Sequence, residues 1–387
     1  MSDPIEQGAV LVLDEIIRRA ARAKASDVHL EPKRDRLNVR FRVDGEMVEE
    51  QSVPIDIALE VVSRVKVLAR MDIAERRLPQ DGQLTLSPNG ELVHLRASTF
   101  PSSLGEKLVL RILSGQTLIP FDKLGLEPIS QAVVRELVDR PQGFIVASGP
   151  TGAGKTSTLY SFLRLIDTRR TNVMTLEDPI EIELPQITQG QTNIKAGFTF
   201  ATGLRAILRQ DPDVIMVGEI RDAETAGIAL QASLTGHLVL STLHTSDAVE
   251  SVVRLVDLGV EPWIIANALT AVLSQRLVRI VCKSCQEEVT VQEPIVDGEE
   301  TIIPAGSKIM RARGCAQCLR TGYKGRTGIF EVVVVDDDMR EMVKAKASPR
   351  EYRQLLRKRG IASLRRVGLQ HVRDGITTID EVVRVTT

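Results

Sequence analysis

The sequence predicts an α/β chain built on a mainly parallel sheet, with a smaller α+β domain before it and a cysteine-bearing insert and a helical region after it. Three observations support this prediction. Apolar strands alternate with helical segments between residues 143 and 258, which is the order of a parallel sheet covered by helices. A glycine-rich segment follows the first of these strands. Two Cys-x-x-Cys pairs lie beyond the alternation.

Length and composition limit the classes of function. The 387 residues suggest two or three domains. The 50 basic and 51 acidic residues nearly balance, so no overall positive field indicates nucleic acid. The aromatic content of 3% argues against a stacking platform for single strands. No apolar run reaches the roughly 18 residues of a membrane span, and the N-terminal residues do not show the basic region followed by an apolar one that is typical of a signal peptide. We expect a cytoplasmic protein.

Residues 1–115 are expected to form the small α+β domain. The periodicity predicts helices over 5–25 and 55–70, and strands over 28–31, 37–43, 47–49, 91–98 and 106–113. Asp44-Gly45 between two alternating runs is a strong hairpin signal. Residues 116–140, with Pro120, Gly125 and Pro128, are expected to be a linker.

Residues 141–280 are expected to form the core. The predicted strands are 143–148, 172–177, 213–219 and 237–243, and the predicted helices are 155–167, 200–210, 222–234, 246–258 and 262–278. Residues 281–330 contain the cysteine insert, and residues 331–387 are expected to be helical. A ligand of such a sheet is expected at the carboxyl ends of its strands.

The glycine-rich segment has the sequence of a phosphate-binding P-loop. It follows the apolar strand 143–148 and leads into a predicted helix, and all fixed positions of Gly-x-x-x-x-Gly-Lys-Thr are matched. Backbone N–H groups and a helix N-terminus can surround phosphate there, while Lys155 adds charge and the Thr156 hydroxyl binds magnesium. The alternative is a simple glycine turn. The residues expected to bind nucleotide are Gly149, Pro150, Thr151, Gly152, Ala153, Gly154, Lys155, Thr156 and Ser157.

Acidic residues follow two further core strands. Glu219 ends the apolar run 213–219, where P-loop enzymes place the carboxylate that helps to hold magnesium. The alternative, an acid that begins the next helix, fits Asp222 better. Glu177 ends strand 172–177 and is placed to orient an attacking water. Glu181 and Glu183 fit either this role or a solvated edge strand.

Two histidines flank the strand 237–243. His237 and His244 could each hydrogen-bond a γ-phosphate. A lone histidine is more often structural, and both interpretations remain open from the residues alone.

The four cysteines form two knuckles, Cys282-x-x-Cys285 and Cys315-x-x-Cys318. Four thiolates suit tetrahedral zinc and leave no open coordination position, so the predicted zinc site is structural. Reduced or redox-active thiols are the alternative.

Arg96 and Arg111 interrupt apolar strand patterns. A guanidinium group in such a place is costly unless it meets an anion or a carboxylate. An intramolecular salt bridge and a contact to an anionic ligand are both consistent with the pattern.

Taken together, these motifs resemble the secretion ATPase superfamily, in particular the assembly ATPases of type II secretion systems and type IV pili. The segments that carry the resemblance, in chain order, are Ala25–Pro32, Arg42–Gly45, Leu78–Gly82, the P-loop, Thr175–Pro179, Val217–Asp222 and Thr235–Thr245. The resemblance implies a RecA-like core after a PAS-like domain and a homo-hexamer. It implies that His237 and His244 sense the γ-phosphate, and that Arg96 and Arg111 reach the nucleotide from a mobile domain.

The resemblance also implies a function. The four cysteines are similar to those of assembly motors and are lacking in retraction motors. We expect an ATP hydrolase, using Mg²⁺ and structural Zn²⁺, that acts with an inner-membrane platform protein and without nucleic acid. Family members usually have a further docking domain before the segment that begins at Ala25, and only about 24 residues precede it here, so the docking surface is left open. A retraction or DNA-uptake motor and a non-hydrolysing ATP-binding switch are the alternatives.

Overall fold

The computed structural model describes residues 4–90, 92–113, 118–298 and 300–387. They divide into two compact units, Met1–Thr117 and Leu118–Thr387. The first residue of the predicted strand 91–98 and the first two of the segment 116–140 lie outside the described residues.

The first unit is a sheet with helices on one face. Its elements are α1 (Pro4–Arg22), β1 (Asp27–Pro32), β2 (Arg36–Val43), β3 (Glu46–Glu49), β4 (Val53–Pro54), α2 (Ile55–Leu68), β5 (Gln80–Leu86), β6 (Val93–Ser102) and β7 (Gly105–Ile112). The strands are ordered β3-β2-β1-β7-β6-β5, and β4 pairs with β2. Apolar side chains of α1, α2 and alternate strand positions form its core.

The turn between β2 and β3 agrees with the sequence signal. Val43 pairs with Glu46 across a two-residue loop, and Asp44 and Gly45 both have positive φ, 50° and 90°. This is the conformation that such a hairpin loop requires. The connection between the strands predicted over 91–98 and 106–113 is shorter than expected, because β6 continues to Ser102 and β7 begins at Gly105.

The second unit contains the core sheet. Its elements from α3 to α7 are α3 (Pro128–Val138), β8 (Gly143–Ser148), α4 (Lys155–Leu163), β9 (Val173–Glu177), β10 (Thr188–Gln191), α5 (Phe200–Ile207), β11 (Val214–Val217), α6 (Ala223–Leu234), β12 (Leu238–Leu243) and α7 (Ala248–Asp257). The later elements are α8 (Pro262–Ala268), β13 (Leu269–Val281), β14 (Glu287–Thr290), β15 (Ile295–Asp297), β16 (Glu300–Ile303), β17 (Lys308–Arg311), β18 (Tyr323–Val334), α9 (Asp337–Lys344), α10 (Pro349–Lys358), α11 (Leu364–Arg373) and α12 (Ile379–Thr386).

The core sheet has the order β10-β9-β11-β12-β8-β13-β18. All neighbouring pairs are parallel except β13 with β18. Residues of α3 and α4 pack on one face, and residues of α5 to α10 pack on the other. The expected α/β chain with a mainly parallel sheet is confirmed, and the parallel strands bring their carboxyl ends to one edge.

Four local predictions differ from the structure. The helix predicted over 262–278 ends at Ala268 and continues as β13. Residues 181–183 form no strand, and the edge strand is β10. Residues 128–138 of the expected linker form α3, whose Val134 and Leu137 are buried in the core. The strand β18, which begins inside the expected insert, returns to the core sheet beside β13.

Candidate functional site

The P-loop connects β8 to α4, as its sequence predicts. Every residue of β8 is buried, and α4 begins at Lys155 after Gly154, which has φ of 87°. A side chain at Gly154 would require strained backbone, and its Cβ would lie 2.9 Å from the Gln275 amide nitrogen. Gly154 therefore allows the loop to approach β13 closely.

Lys155 is the cation of this loop. It is buried, and its Nζ donates to the carbonyl oxygens of Gly149 at 2.7 Å and Pro150 at 3.0 Å. Burial lowers the pKa of Lys155 to about 8; the nearby Glu219 carboxylate opposes this shift and Arg276 adds to it. The ammonium group is thus held at the loop in an environment that favours a negatively charged ligand.

Glu219 is held at the same edge of the sheet by its neighbours. The Ile220 N–H donates to the Thr242 carbonyl at 3.1 Å, and the Thr242 hydroxyl donates to the Gly218 carbonyl at 2.7 Å. The Glu219 carboxylate contacts Arg221 at 2.6 Å and His244 at 3.3 Å. Asp222, by contrast, caps α6 by accepting from the Thr225 N–H at 2.8 Å, so the helix-start role belongs to Asp222.

Glu177 ends β9 and is 2% exposed. One carboxylate oxygen accepts from Tyr160, and the other accepts from Thr175 at 2.5 Å and from Gln189 at 3.0 Å. The same network raises the pKa of Tyr160, through burial first and the Glu177 hydrogen bond second. Glu177 is therefore fixed by three side chains that the sequence analysis did not identify, because their spacing from Glu177 carries no recognisable pattern.

The structure separates the two histidines. His244 follows β12 at the carboxyl edge, beside Glu219. His237 precedes β12, and its carbonyl accepts from the Gly143 N–H at the start of β8. Its ring nitrogen bonds the Ala232 carbonyl at 2.9 Å. His237 thus lies at the opposite edge of the sheet from the P-loop of its own chain. The prediction that His237 contacts a γ-phosphate at that loop is therefore wrong.

Arg96 and Arg111 are neighbours in the first unit. They pair directly across β6 and β7, and their side chains are 52% and 64% exposed. Arg111 donates to Asp27 at 2.8 Å, while Arg96 lies 3.9 Å from Asp81. The expected energetic cost of burying these guanidinium groups does not arise, because both arginines lie on the solvent-exposed face of their strands. The salt bridges exist and leave both guanidinium groups accessible.

The four cysteine thiols converge. All four sulfur atoms lie within 4.8 Å of one another. Backbone N–H groups of Cys315 and Gly322 donate to the Cys318 sulfur at 3.1 and 3.3 Å. Burial opposes ionisation of Cys318, but these hydrogen bonds, together with those of the Cys315 and Cys285 thiols, outweigh it and lower its pKa to about 7. The donor set and its N–H partners fit a tetrathiolate metal site.

No helix in the described part of the chain is long and apolar enough to cross a membrane.

Comparison with known proteins gives consistent results. The model of the family described as type II/IV secretion system protein matches residues 4–384. Type II secretion system protein E of Pseudomonas aeruginosa is 48% identical over 380 residues, covering 97% of this chain and 75% of the relative. Type II secretion system ATPase E of Vibrio cholerae is 45% identical, with the same two coverages. Type IV pilus assembly ATPase PilB of Thermus thermophilus is 44% identical and covers 98% of this chain and 43% of the relative.

Solved structures resemble the fold as well. The pilus retraction motor PilT with bound ADP superposes with a TM-score of 0.64 at 25% identity, covering 96% of each chain. The ATPase DotB of Legionella pneumophila has a TM-score of 0.70 at 22% identity, covering 97% of this chain and 95% of its own. The DotB similarity concerns the fold alone.

Proposed function

The chain belongs to the type II/IV secretion system protein family, and we propose that it is an ATP-hydrolysing motor that drives pseudopilus or type IV pilus assembly. The observation that carries this proposal is the buried Lys155 ammonium group at the P-loop, with the Glu219 carboxylate at the same edge of the core sheet. Lys155 lies buried at the loop carbonyls and within the electrostatic field of Glu219. Relatives that are named as secretion and pilus assembly ATPases match nearly the whole chain.

The residues of the loop have distinct roles in this proposal. Backbone N–H groups of the loop from Thr151 to Ser157 and the Lys155 ammonium group bind the phosphates of ATP. Thr156 and Glu219 would hold the magnesium ion, which supplies charge neutralisation at the phosphates. The hydroxyl and carboxylate donors suit magnesium, which prefers oxygen ligands.

Glu177 is proposed to orient the attacking water. It ends a strand at the same sheet edge as the P-loop. Tyr160, Thr175 and Gln189 hold its carboxylate in one orientation, which supports a positioned base. His244 is proposed to report the γ-phosphate to Glu219, which it contacts at 3.3 Å.

Arg96 and Arg111 are proposed to complete the site within a homo-hexamer. Their exposure and their position opposite each other give the first unit a pair of accessible guanidinium groups. Hydrolysis would then depend on the approach of this unit, in the manner of an arginine finger. The helices and the single sheet of the first unit are consistent with a PAS-like domain, and those of the second with a RecA-like core.

The cysteine cluster is proposed to bind one structural zinc ion. The proposed partner is an inner-membrane platform protein of a secretion or pilus system, at the cytoplasmic face of the membrane. The tetracysteine cluster favours an assembly motor over the retraction or DNA-uptake motor that is the alternative.

Phosphate release from ATP tests the function. The parent chain is expected to release phosphate, whereas Lys155→Ala and Glu219→Gln together should abolish release above background. Arg36→Gln, at an exposed side chain of the first unit, is the control and should retain activity. Release that survives the double substitution would overturn the assignment. ATP binding without release, with or without platform protein, would indicate the non-hydrolysing switch.

A further inference from the structure

The strand β13 forms one wall of the P-loop. It runs parallel to β8, with Ser274 opposite Ser148, the last residue before the loop. The two serine hydroxyls are 2.7 Å apart and both residues are fully buried. The next residues of β13, Gln275 and Arg276, therefore lie level with the loop itself.

Gln275 contacts both ends of the loop. Its side-chain oxygen accepts from the Thr158 hydroxyl at 2.8 Å, and Thr158 lies in the first turn of α4. Its backbone oxygen lies 2.6 Å from the position that a Cβ on Gly149 would occupy. Strand β13 therefore contacts the start of the loop at Gly149 and the first turn of α4 at Thr158.

Arg276 connects this wall to two further elements. Its guanidinium donates to the carbonyl oxygens of Gln275 at 3.0 Å, Ser246 at 2.8 Å and Val385 at 3.1 Å. Ser246 follows His244 in the segment after β12, and Val385 belongs to α12. One Arg276 nitrogen also lies 3.4 Å from the Cβ position of Gly149.

The charge of Arg276 faces the nucleotide side without a direct counter-ion. All three hydrogen-bond acceptors are neutral carbonyls, and among the described residues no carboxylate lies within ion-pair distance of its guanidinium. Burial lowers the pKa of Arg276, while the more distant Asp247, Glu250 and Glu331 oppose this. A half-buried positive charge beside an anion site is stabilised when the anion binds.

A cavity of about 730 Å³ opens beside these contacts, lined by residues that include Pro150, Thr151, His244, Ser246, Arg276 and Arg353. It joins the start of the P-loop to the segment after β12, so Arg276 lies between the loop and the residues proposed to sense the γ-phosphate.

We propose that Arg276 is a positioning residue for ATP binding, which holds the P-loop, the segment His244–Ser246 and helix α12 in one arrangement. This inference rests on the proposed function and adds a residue to the same site. It also gives α12 a direct connection to the loop. The anchor of α12 lies one helical turn away, where buried Glu381 accepts from Arg279 and Arg384.

Substitutions of Arg276 test this role in the full chain. Arg276→Gln should raise the KM for ATP and the Kd for ADP at least about ten-fold, because both a charge and three donors are lost. Arg276→Lys keeps the charge without the planar set of donors and should recover part of the affinity. Arg384→Gln weakens an α12 contact away from the loop, and is the matched control that should stay within two-fold of the parent.

The outcomes separate this inference from the proposed function. Arg276→Gln with KM and Kd within two-fold of the parent would overturn the inference, as would an equal loss of affinity in Arg384→Gln. If Arg276→Gln does not fold, Arg276→Lys with a parental melting temperature decides by the same ADP measurement. A parent that binds ADP but releases no phosphate would contradict the proposed function, while the ADP affinities would still test Arg276.

Discussion

At the scale of single residues, the chemistry is concentrated where four parallel strands end. Lys155, Glu177, Glu219 and His244 each follow or end a core strand, so the sheet brings them together although about 90 residues separate the first from the last. Each is fixed by hydrogen bonds or ion pairs to its neighbours. The site therefore belongs to the core sheet of the second unit.

The lowered pKa of Lys155 predicts a pH dependence of nucleotide affinity. Phosphate binding requires the protonated ammonium group, so affinity for ADP should be constant below pH 8 and fall as the pH rises through the pKa of about 8. The expected loss approaches about ten-fold for each further pH unit. ADP titrations between pH 7 and 9.5 measure it. Lys155→Arg, which remains charged throughout, should bind with little pH dependence; equal pH profiles for both proteins would contradict the explanation.

Glu177 and Tyr160 give a second prediction. Glu177→Gln should lower kcat by about 10² to 10⁴, the usual contribution of a general base, with ADP affinity nearly unchanged. Tyr160→Phe removes only one of the hydrogen bonds to Glu177 and should have a smaller effect on kcat. Exposed Glu183→Gln is the control. Steady-state kinetics that show full kcat in Glu177→Gln would exclude the role.

Sequence patterns identified some of these residues and missed others. The P-loop has fixed spacing, and Glu219 and Glu177 follow recognisable apolar strands. His237 precedes its strand, which in a parallel sheet means the opposite edge, so strand direction alone could have excluded it. Tyr160, Gln189 and Arg276 reach the site through tertiary packing, for which local sequence contains no signal.

At the scale of elements, β13 shows why a buried strand can be mistaken for a helix. Residues Leu269 to Gln275 are all buried, because both faces of the central sheet are covered. No alternation marks such a strand, and a long apolar run reads equally well as a helix. This error concealed part of the candidate site, because β13 packs directly against the P-loop.

The contact between β18 and α7 predicts a pH-dependent stability. Glu331 of β18 is buried and accepts from the Ala248 N–H at 3.1 Å. Burial raises its pKa to about 7; Asp247 adds to this shift, and the Ala248 hydrogen bond, Arg353 and Arg276 oppose it. A carboxyl group whose pKa is raised by folding destabilises the fold increasingly above its unfolded value of about 4.5 and fully above about 7.

Glu331→Gln should therefore stabilise the chain at pH 8 by up to about 3 kcal/mol, and by much less at pH 5. The glutamine can still accept from the Ala248 N–H. Denaturant unfolding at both pH values measures the difference, and Glu341→Gln, which is exposed, is the control. An equal change in unfolding free energy at pH 5 and pH 8 would contradict the assigned cause.

At the scale of the whole molecule, the cysteine knuckles connect the insert to the core sheet. Cys282 directly follows β13, and the Gly322 N–H, which donates to Cys318, directly precedes β18. The two strands are paired along most of their length. A metal at the cysteines would therefore stabilise the end of the core sheet.

Metal analysis should find about one zinc ion per chain, as four thiolates in two knuckles require. Cys318→Ser should lose the metal and lower the melting temperature, whereas Ser284→Ala, between the two cysteines of the other knuckle, should keep both. Zinc near zero in purified, reduced parent protein would contradict the site.

The central proposal is that ATP hydrolysis at the P-loop depends on Arg96 and Arg111. The most direct measurement is kcat for Arg96→Gln/Arg111→Gln beside Arg36→Gln, with ADP affinity and melting temperature recorded for each. A loss of at least about 10³ in kcat, with ADP affinity and melting temperature unchanged, is expected for the double variant alone. A kcat within two-fold of the parent would contradict the claim.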